Sequence, residues 1–222
     1  MPGWPMQVRV ITLEREYGSG GAIIAQRLAA RLGWKLWDHE ISCEIARRAN
    51  VDEQTAARCD ERVDSFLYRL FKVYARGSYE RSLAVGGSRS FDTDRMVAML
   101  EKVIAEFADQ GNCVIVGRGA PYFLRNRPDA FSVFIYAPRE EKVRRLRTIG
   151  QSEKEALRLI EEVDRERSAF IRHYFGKDWP YRPLYNLMVN SKFGDEHVVE
   201  TILEQVAAHE KRAATPNVTA SA

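Results

Sequence analysis

The stretch ITLEREYGSGGAIIAQRLAARLG, residues 11–33, decides the fold. An apolar run rich in β-branched residues leads into a glycine-rich turn. Ile23, Ile24, Leu28 and Leu32 then recur at helical spacing, and Gly33 stops the helix. Strand, glycine turn and helix in that order are the layout of a phosphate-binding loop, which normally reads G-x-x-x-x-G-K-[ST]. Laid over Arg15–Ala22, the pattern departs at three positions. Arg15 stands where the first glycine belongs, Gly21 where the lysine belongs, and Ala22 where the Ser or Thr belongs. Gly18, Ser19, Gly20 and Gly21 still let backbone N–H groups converge, and the helix start adds its positive end. That arrangement binds an anion without a lysine. A tight turn that needs glycine only for its conformation is the competing reading of the same residues.

Outward from this stretch the chain alternates between strand and helix. VRVITL (8–13), WKLWD (34–38), CVIVG (113–117), FSVFIYA (131–137) and YNLMVN (185–190) read as five strands. Residues 39–82 are helical by pattern, and VGGSRSFDTD (85–94) reads as the clearest internal loop. Met96, Val97, Leu100, Val103, Ile104 and Phe107 then predict a helix closed by Gly111. Pro138 suits the first position of a helix over REEKVRRLR. Ser152 and Glu155 form a capping box for a long helix through LRLIEEVDRERSAFIRHYF. VVETILEQVAAH is the last helix. The alternation predicts an α/β domain over residues 7–210, with a parallel sheet covered on both faces. A helical lobe at about 39–95 is expected over the carboxyl edge of the sheet, where ligands bind in open α/β sheets. Residues 211–222 read as a disordered tail.

Composition narrows the class. The chain has 222 residues, 45% of them hydrophobic and 29% charged, an ordinary globular balance. The net charge of +3 is too mild for a dedicated nucleic-acid binder. Arg139, Lys142, Arg144, Arg145 and Arg147 form a local basic cluster, read here as a solvated helix face. No stretch approaches the ~18 apolar residues of a membrane span. Three cysteines without C-x-x-C spacing argue against a disulfide framework or a zinc site, and the expected compartment is the reducing cytoplasm. His39, His173, His197 and His209 lack metal-ligand spacing. Ser19 lies in Y-G-S-G-G, which is not a hydrolase nucleophile elbow.

Three further groups carry candidate chemistry. Arg118, in Gly117-Arg118-Gly119 directly after a buried strand, is expected to point into the ligand crevice and hold a phosphate bidentately, with a solvated surface arginine opening a loop as the competing reading. Asp164-Arg165-Glu166-Arg167, with Arg172 and His173 nearby, puts Arg165 and Arg172 on one helix face and Arg167 on another. Asp38, ending the second strand, can accept hydrogen bonds from a base or sugar, or cap the next helix.

These blocks together resemble the cytidylate-kinase-like group of P-loop proteins. REYGSGG with IAQRLAARLGWKLWD, CVIVGRGA, DRERSAFIRHYFGKDW and YNLMVN occur in family order across roughly residues 8–206. The resemblance implies a nucleoside-monophosphate-kinase-like P-loop fold: a five-stranded parallel sheet flanked by helices, a monophosphate-binding lobe and a lid at about 150–182. The family's phosphate loop falls on Arg15–Ala22, and its monophosphate-facing aspartate on Asp38. Its strand-three arginine falls on Arg118, and its lid arginines on Arg165 and Arg167. Its next lid arginine falls on Ala169, and the acids that flank its Gly-Arg fall on Val116 and Gly119, so those groups are missing here.

The expected function is a nucleotide kinase moving the γ-phosphoryl group of ATP, with Mg²⁺, to a nucleoside monophosphate such as CMP. Gly18, Ser19, Gly20, Gly21 and Ala22 are the expected ATP-binding residues, and Asp38 and Arg118 the expected acceptor-binding residues. Arg118, Arg165 and Arg167 are expected to neutralise charge in the transfer. Charge inventory alone nominates Arg15 as the replacement for the lysine, and Glu14 and Glu16 as groups organising the metal. Two alternatives stay open: a nucleotide sensor that binds without turnover, and a kinase for a different small acceptor.

Overall fold

The computed structural model describes residues 7–48 and 89–214. They fall into two compact units, one running to Leu36 and resuming at Gly111, the other comprising Trp37–Gln110. Five strands make one parallel sheet: β1 (Val10–Arg15), β2 (Lys35–Trp37), β3 (Cys113–Val116), β4 (Ala130–Tyr136) and β5 (Leu187–Asn190), in the order β2-β3-β1-β4-β5. The helices among the described residues are α1 (Gly21–Leu32), α2 (His39–Arg48), α3 (Arg89–Gln110), α4 (Ala120–Phe123), α5 (Arg139–Thr148), α6 (Glu153–Phe175) and α7 (Asp195–Ala214). Two 3₁₀ turns cover Arg182–Leu184 and Ser191–Phe193. None of these helices is long and apolar enough to cross a membrane.

β1 is central because all six of its residues can be buried, Glu14 and Arg15 included. It pairs in parallel with β3 from Val10↔Cys113 and with β4 from Val10↔Ala130. Side chains alternate across the pleat. Ile11 and Leu13, with Val114, Val116, Val133 and Ile135, join Ile24 and Leu28 of α1 and Val198, Val199 and Ile202 of α7 in the main core. Burying each of these side chains contributes roughly 1.5–3 kcal/mol. On the other face, Thr12 Oγ1 donates to Ser132 Oγ at 2.9 Å. Phe134 stands beside Glu14 in register there, with Trp179 and Tyr185 packed on its ring. A smaller core, Leu146, Ala156 and Ile160 with Tyr17 and Val143, joins α5 and α6 to the loop after β1.

Local signals set the helix ends. Gly33 takes a left-handed conformation at the end of α1, and its N–H returns to the carbonyls of Ala29 and Ala30. Ser152 Oγ accepts from the Glu155 N–H at 3.2 Å and caps α6, as the capping box predicts. The second unit shows α2 and α3 joined by Arg48, whose guanidinium reaches Glu44 at 2.5 Å and Glu106 at 2.6 Å. Trp37 stacks on Phe107 with ring centroids 3.8 Å apart. Cys113, opening β3, is fully buried, and desolvation pushes its thiol up to about 11.

Some element boundaries differ from expectation. Residues 89–94, read as loop, form the first turns of α3. Ser, Asp and Thr serve a first helical turn as readily as a loop, so polar composition alone misplaces the start. Pro138 is the residue before α5, extended at ψ 149, and Arg139 is the first helical one. α7 continues to Ala214, with Lys211 and Arg212 against its negative end, so residues 211–214 of the expected tail are helical, and residues 215–222 lie outside the described residues. Most of the expected lobe, residues 49–88, lies outside the described residues.

Candidate functional site

The loop between β1 and α1 is held from behind. Ser19 is fully buried: its hydroxyl donates to the Glu16 carbonyl at 2.8 Å, and its N–H approaches the same oxygen at 3.3 Å. Its own carbonyl accepts from Ser191 Oγ at 2.6 Å. Ser19 therefore shapes the turn and offers a ligand nothing. Gly20 has φ 81, and a Cβ there would overlap the Arg145 guanidinium. Gly20 precedes α1 without any side-chain cap, and the first turn of α1 carries no acid. The first intrahelical bond runs from the Ile24 N–H to the Gly20 carbonyl at 3.1 Å. The amides of Gly20, Gly21 and Ala22 stand ahead of it, in the part of a helix that has no intrahelical acceptor. Uncapped N–H groups at a helix start are an anion cradle.

Arg15 closes the opposite side. It ends β1, is only 6% exposed, and lies with Nη1 4.0 Å from Glu14 Oε1. Its stem crosses the start of α1, since a Cβ on Gly21 would lie 2.7 Å from both Arg15 Cβ and Cγ. Its tip reaches the end of β3, where a Cβ on Gly117 would overlap Nη1.

A charged cluster that the sequence does not announce fixes the loop to α5 and α6. Lys142, read above as part of a solvated basic face, is 8% exposed. Its Nζ donates to Glu16 Oε2 at 3.0 Å and stands 3.7 Å from Asp164 Oδ2. Asp164 Oδ1 accepts from the Tyr17 N–H at 2.8 Å. Arg167 Nη1 donates to the Arg15 carbonyl at 2.8 Å and to Asp164 Oδ1 at 3.3 Å. Burial holds the Asp164 carboxyl above its ordinary range, outweighing the attraction of Arg167 and Lys142. Arg145 joins α5 to α7, with Nη1 2.7 Å from Asp195 Oδ1 and Nη2 donating to the Ser191 carbonyl at 3.1 Å. The spacing Lys142, Arg145, Leu146 is one helix face, and that face is turned inward. Asp164 is 147 residues from Tyr17 in sequence, so no local pattern reveals it.

After β3 the backbone makes a left-handed turn: Gly117, Arg118 and Gly119 have φ 67, 57 and 70. Arg118 is a non-glycine residue in a conformation few adopt, and its Nη1 donates to the Val116 carbonyl at 3.0 Å. Gly119 is roofed by Phe170 and Phe175 of α6, and Phe175 also stacks on Tyr122 at 4.6 Å. The hydroxyls of Tyr122 and Tyr185 and the Trp179 indole N–H are buried without meeting hydrogen-bond geometry among the described residues. Burial pushes Tyr122 up to about 12, with the nearby Glu14 charge adding to it, and drives Tyr185 upward further.

Arg165 is exposed on α6. Asp38, in the second unit, directly precedes α2, and its N–H donates to Glu40 Oε2 at 3.1 Å. Glu14 is 3% exposed beside the tyrosines, whereas Glu16 is held by Lys142 and by the Ala137 N–H at 3.3 Å. Among the described residues no group of three or more His, Cys, Asp or Glu is gathered to hold a metal ion.

No curated protein matches the sequence. An uncharacterized protein from Eubacterium ventriosum superposes with a TM-score of 0.66 at 22% identity, covering 91% of this chain and 99% of its own. TT1252 from Thermus thermophilus gives 0.51 at 18% identity, covering 91% and 97%. Shikimate kinase from Bacteroides thetaiotaomicron gives 0.50 at 17% identity, covering 90% and 98%. At these identities the likeness is one of fold. The sequence match is more specific: with residues 10–192 fitting the family as a whole, the chain belongs to the cytidylate kinase-like family.

Proposed function

We propose that this chain is a nucleotide kinase, transferring the γ-phosphoryl group of ATP to a nucleoside monophosphate, CMP or a relative. One observation carries the reading: the uncapped, acid-free start of α1, with a buried arginine laid across it. The amides of Gly20, Gly21 and Ala22 would bind the donor phosphates, with Gly18 and Ser19 shaping the turn behind them. Mg²⁺ is proposed to arrive on the ATP phosphates and supply charge neutralisation there. Glu16 would serve it only through Oε1 or a bridging water, since Lys142 and the Ala137 amide hold Oε2. Glu14 sits among the buried tyrosines, a setting that does not fit a hydrated cation. Arg118 is proposed on the acceptor phosphate, and Asp38 on the acceptor by the family's pattern alone. Arg165, exposed, is the lid arginine proposed to reach the donor. Arg167 is assigned a positioning role, because it already binds the Arg15 carbonyl.

Phosphoryl transfer asks little covalent work of the protein beyond placing charge and excluding water. The test is a screen of nucleoside monophosphates with ATP and Mg²⁺, read as product nucleotide. Formation of a nucleoside diphosphate from one monophosphate supports the proposal. A rise in melting temperature with ATP but no product from any acceptor would replace it with a nucleotide sensor.

A further inference from the structure

Two departures from the phosphate-loop pattern, Arg15 for glycine and Gly21 for lysine, are six residues apart in sequence and in contact in space. Gly21 is a helical residue and is not among the positive-φ glycines. Nothing in its backbone asks for glycine, and alanine suits a helix better. What asks for it is Arg15, whose Cβ and Cγ fill the place of any side chain at position 21. A lysine at 21 and an arginine at 15 therefore exclude each other. At the other end of the side chain Gly117, whose φ of 67 already favours glycine, leaves Nη1 the place where a Cβ would be, with Cζ 3.3 Å away.

We propose that Arg15, Gly21 and Gly117 are one device: a relocated phosphate-binding cation and the two glycines that let it lie across the crevice. Arg15 is the residue that touches phosphate, and the glycines act through it. The cation enters from the end of β1, between the α1 amides and the turn after β3. It is thus aimed at the phosphoryl group in transit, and its planar fork can span two phosphate oxygens where an ammonium is a point charge. Burial fixes the side chain before ligand arrives, so little ordering remains to be done on binding. This inference rests on the reading of the loop as a phosphate cradle.

The experiment compares the wild-type chain with Arg15→Gln, Arg15→Gly, Gly21→Ala, Gly21→Lys, Arg15→Gly/Gly21→Ala and Arg15→Gly/Gly21→Lys. Each is melted without ligand and titrated calorimetrically with ADP and with inorganic pyrophosphate. Arg15→Gln keeps the stem over Gly21 and removes the guanidinium, and because it also takes that ion pair from the buried Glu14 it should melt several degrees below wild type. It should bind both probes roughly 10- to 100-fold more weakly. Gly21→Ala and Gly21→Lys should melt about 5 °C or more below wild type through overpacking against the stem. In the Arg15→Gly background the alanine should carry no penalty, and Arg15→Gly/Gly21→Lys should regain most of the lost affinity. Undiminished binding by Arg15→Gln overturns the assignment of the cation, and Gly21→Ala melting at or above wild type overturns the steric exchange. A wild-type chain that binds neither probe overturns the cradle itself. One that binds both yet phosphorylates no monophosphate leaves this inference standing and removes only the kinase reading.

Discussion

Replacing Lys142 by methionine should unfasten the loop from α5 and α6 while keeping the volume of the side chain. Lys142 Nζ serves two carboxylates, Glu16 at 3.0 Å and Asp164 at 3.7 Å, whose side chains are 26% and 18% exposed. Removing one partner of a fully buried pair costs about 3–5 kcal/mol. Here the carboxylates keep some contact with water and Asp164 keeps Arg167, so about 2–3 kcal/mol is the better figure. At roughly 2–4 °C per kcal/mol for a chain of this size, the melting temperature should fall by about 4–12 °C at pH 7.5. The sign of the pH dependence follows from Asp164. Its carboxyl is already held above its ordinary range by burial, and losing a cation raises it further. A carboxyl raised in the folded state contributes stability that is complete at low pH and is lost as pH rises through its folded value. The deficit of Lys142→Met should therefore shrink as the pH is lowered toward 5. The assay is thermal melting of both proteins at pH 7.5 and 5, with far-ultraviolet circular dichroism. Equal melting temperatures at pH 7.5, or a deficit of the same size at both pH values, would refute this account of the cluster.

Arg165 and Arg167, the two arginines proposed for a lid, should separate. Arg165→Gln should melt within about 1 °C of wild type, as exposed substitutions do, and lower turnover in the proposed kinase assay by roughly tenfold, one contact of ~1.4 kcal/mol. Arg167→Gln, which loses the Arg15 carbonyl and Asp164, should lower the melting temperature by several degrees before any ligand is added. Phe134→Ala should lower stability by about 3–5 kcal/mol, because the ring is buried against Trp179 and Tyr185. A denaturant midpoint within error of wild type would contradict the packing described for that face.

Much of the fold is legible in the sequence because its signals are local. The β-branched runs mark the strands, Gly33 marks the end of α1, and Ser152 with Glu155 marks the start of α6. The glycine turn between β1 and α1 is legible for the same reason. The braces behind it are not. Lys142 sits in a stretch with five basic residues in nine, which reads as solvent-facing until the position of the loop is known. Ser191 and Asp195 reach Ser19 and Arg145 from the far end of the chain, through β5 and α7. The direction of the Arg15 side chain is likewise a property of three segments at once. Charge inventory nominates the residue, but only packing links it to Gly21 and Gly117.

The burial of Cys113 also makes the central sheet reportable from outside. A thiol held near 11 and shut away at the first residue of β3 has almost no thiolate to offer an alkylating reagent while the strand is in place. β3 lies between β2 and β1, so the sulfur becomes reactive only when that part of the sheet parts. Iodoacetamide labelling under native conditions, read on the peptide that contains Cys113, then becomes a clock for opening events far rarer than any visible in a melting curve. A ligand that ties β1 to its loop should slow that clock in proportion to its occupancy. The rate at one sulfur atom would thereby measure nucleotide binding without any turnover at all.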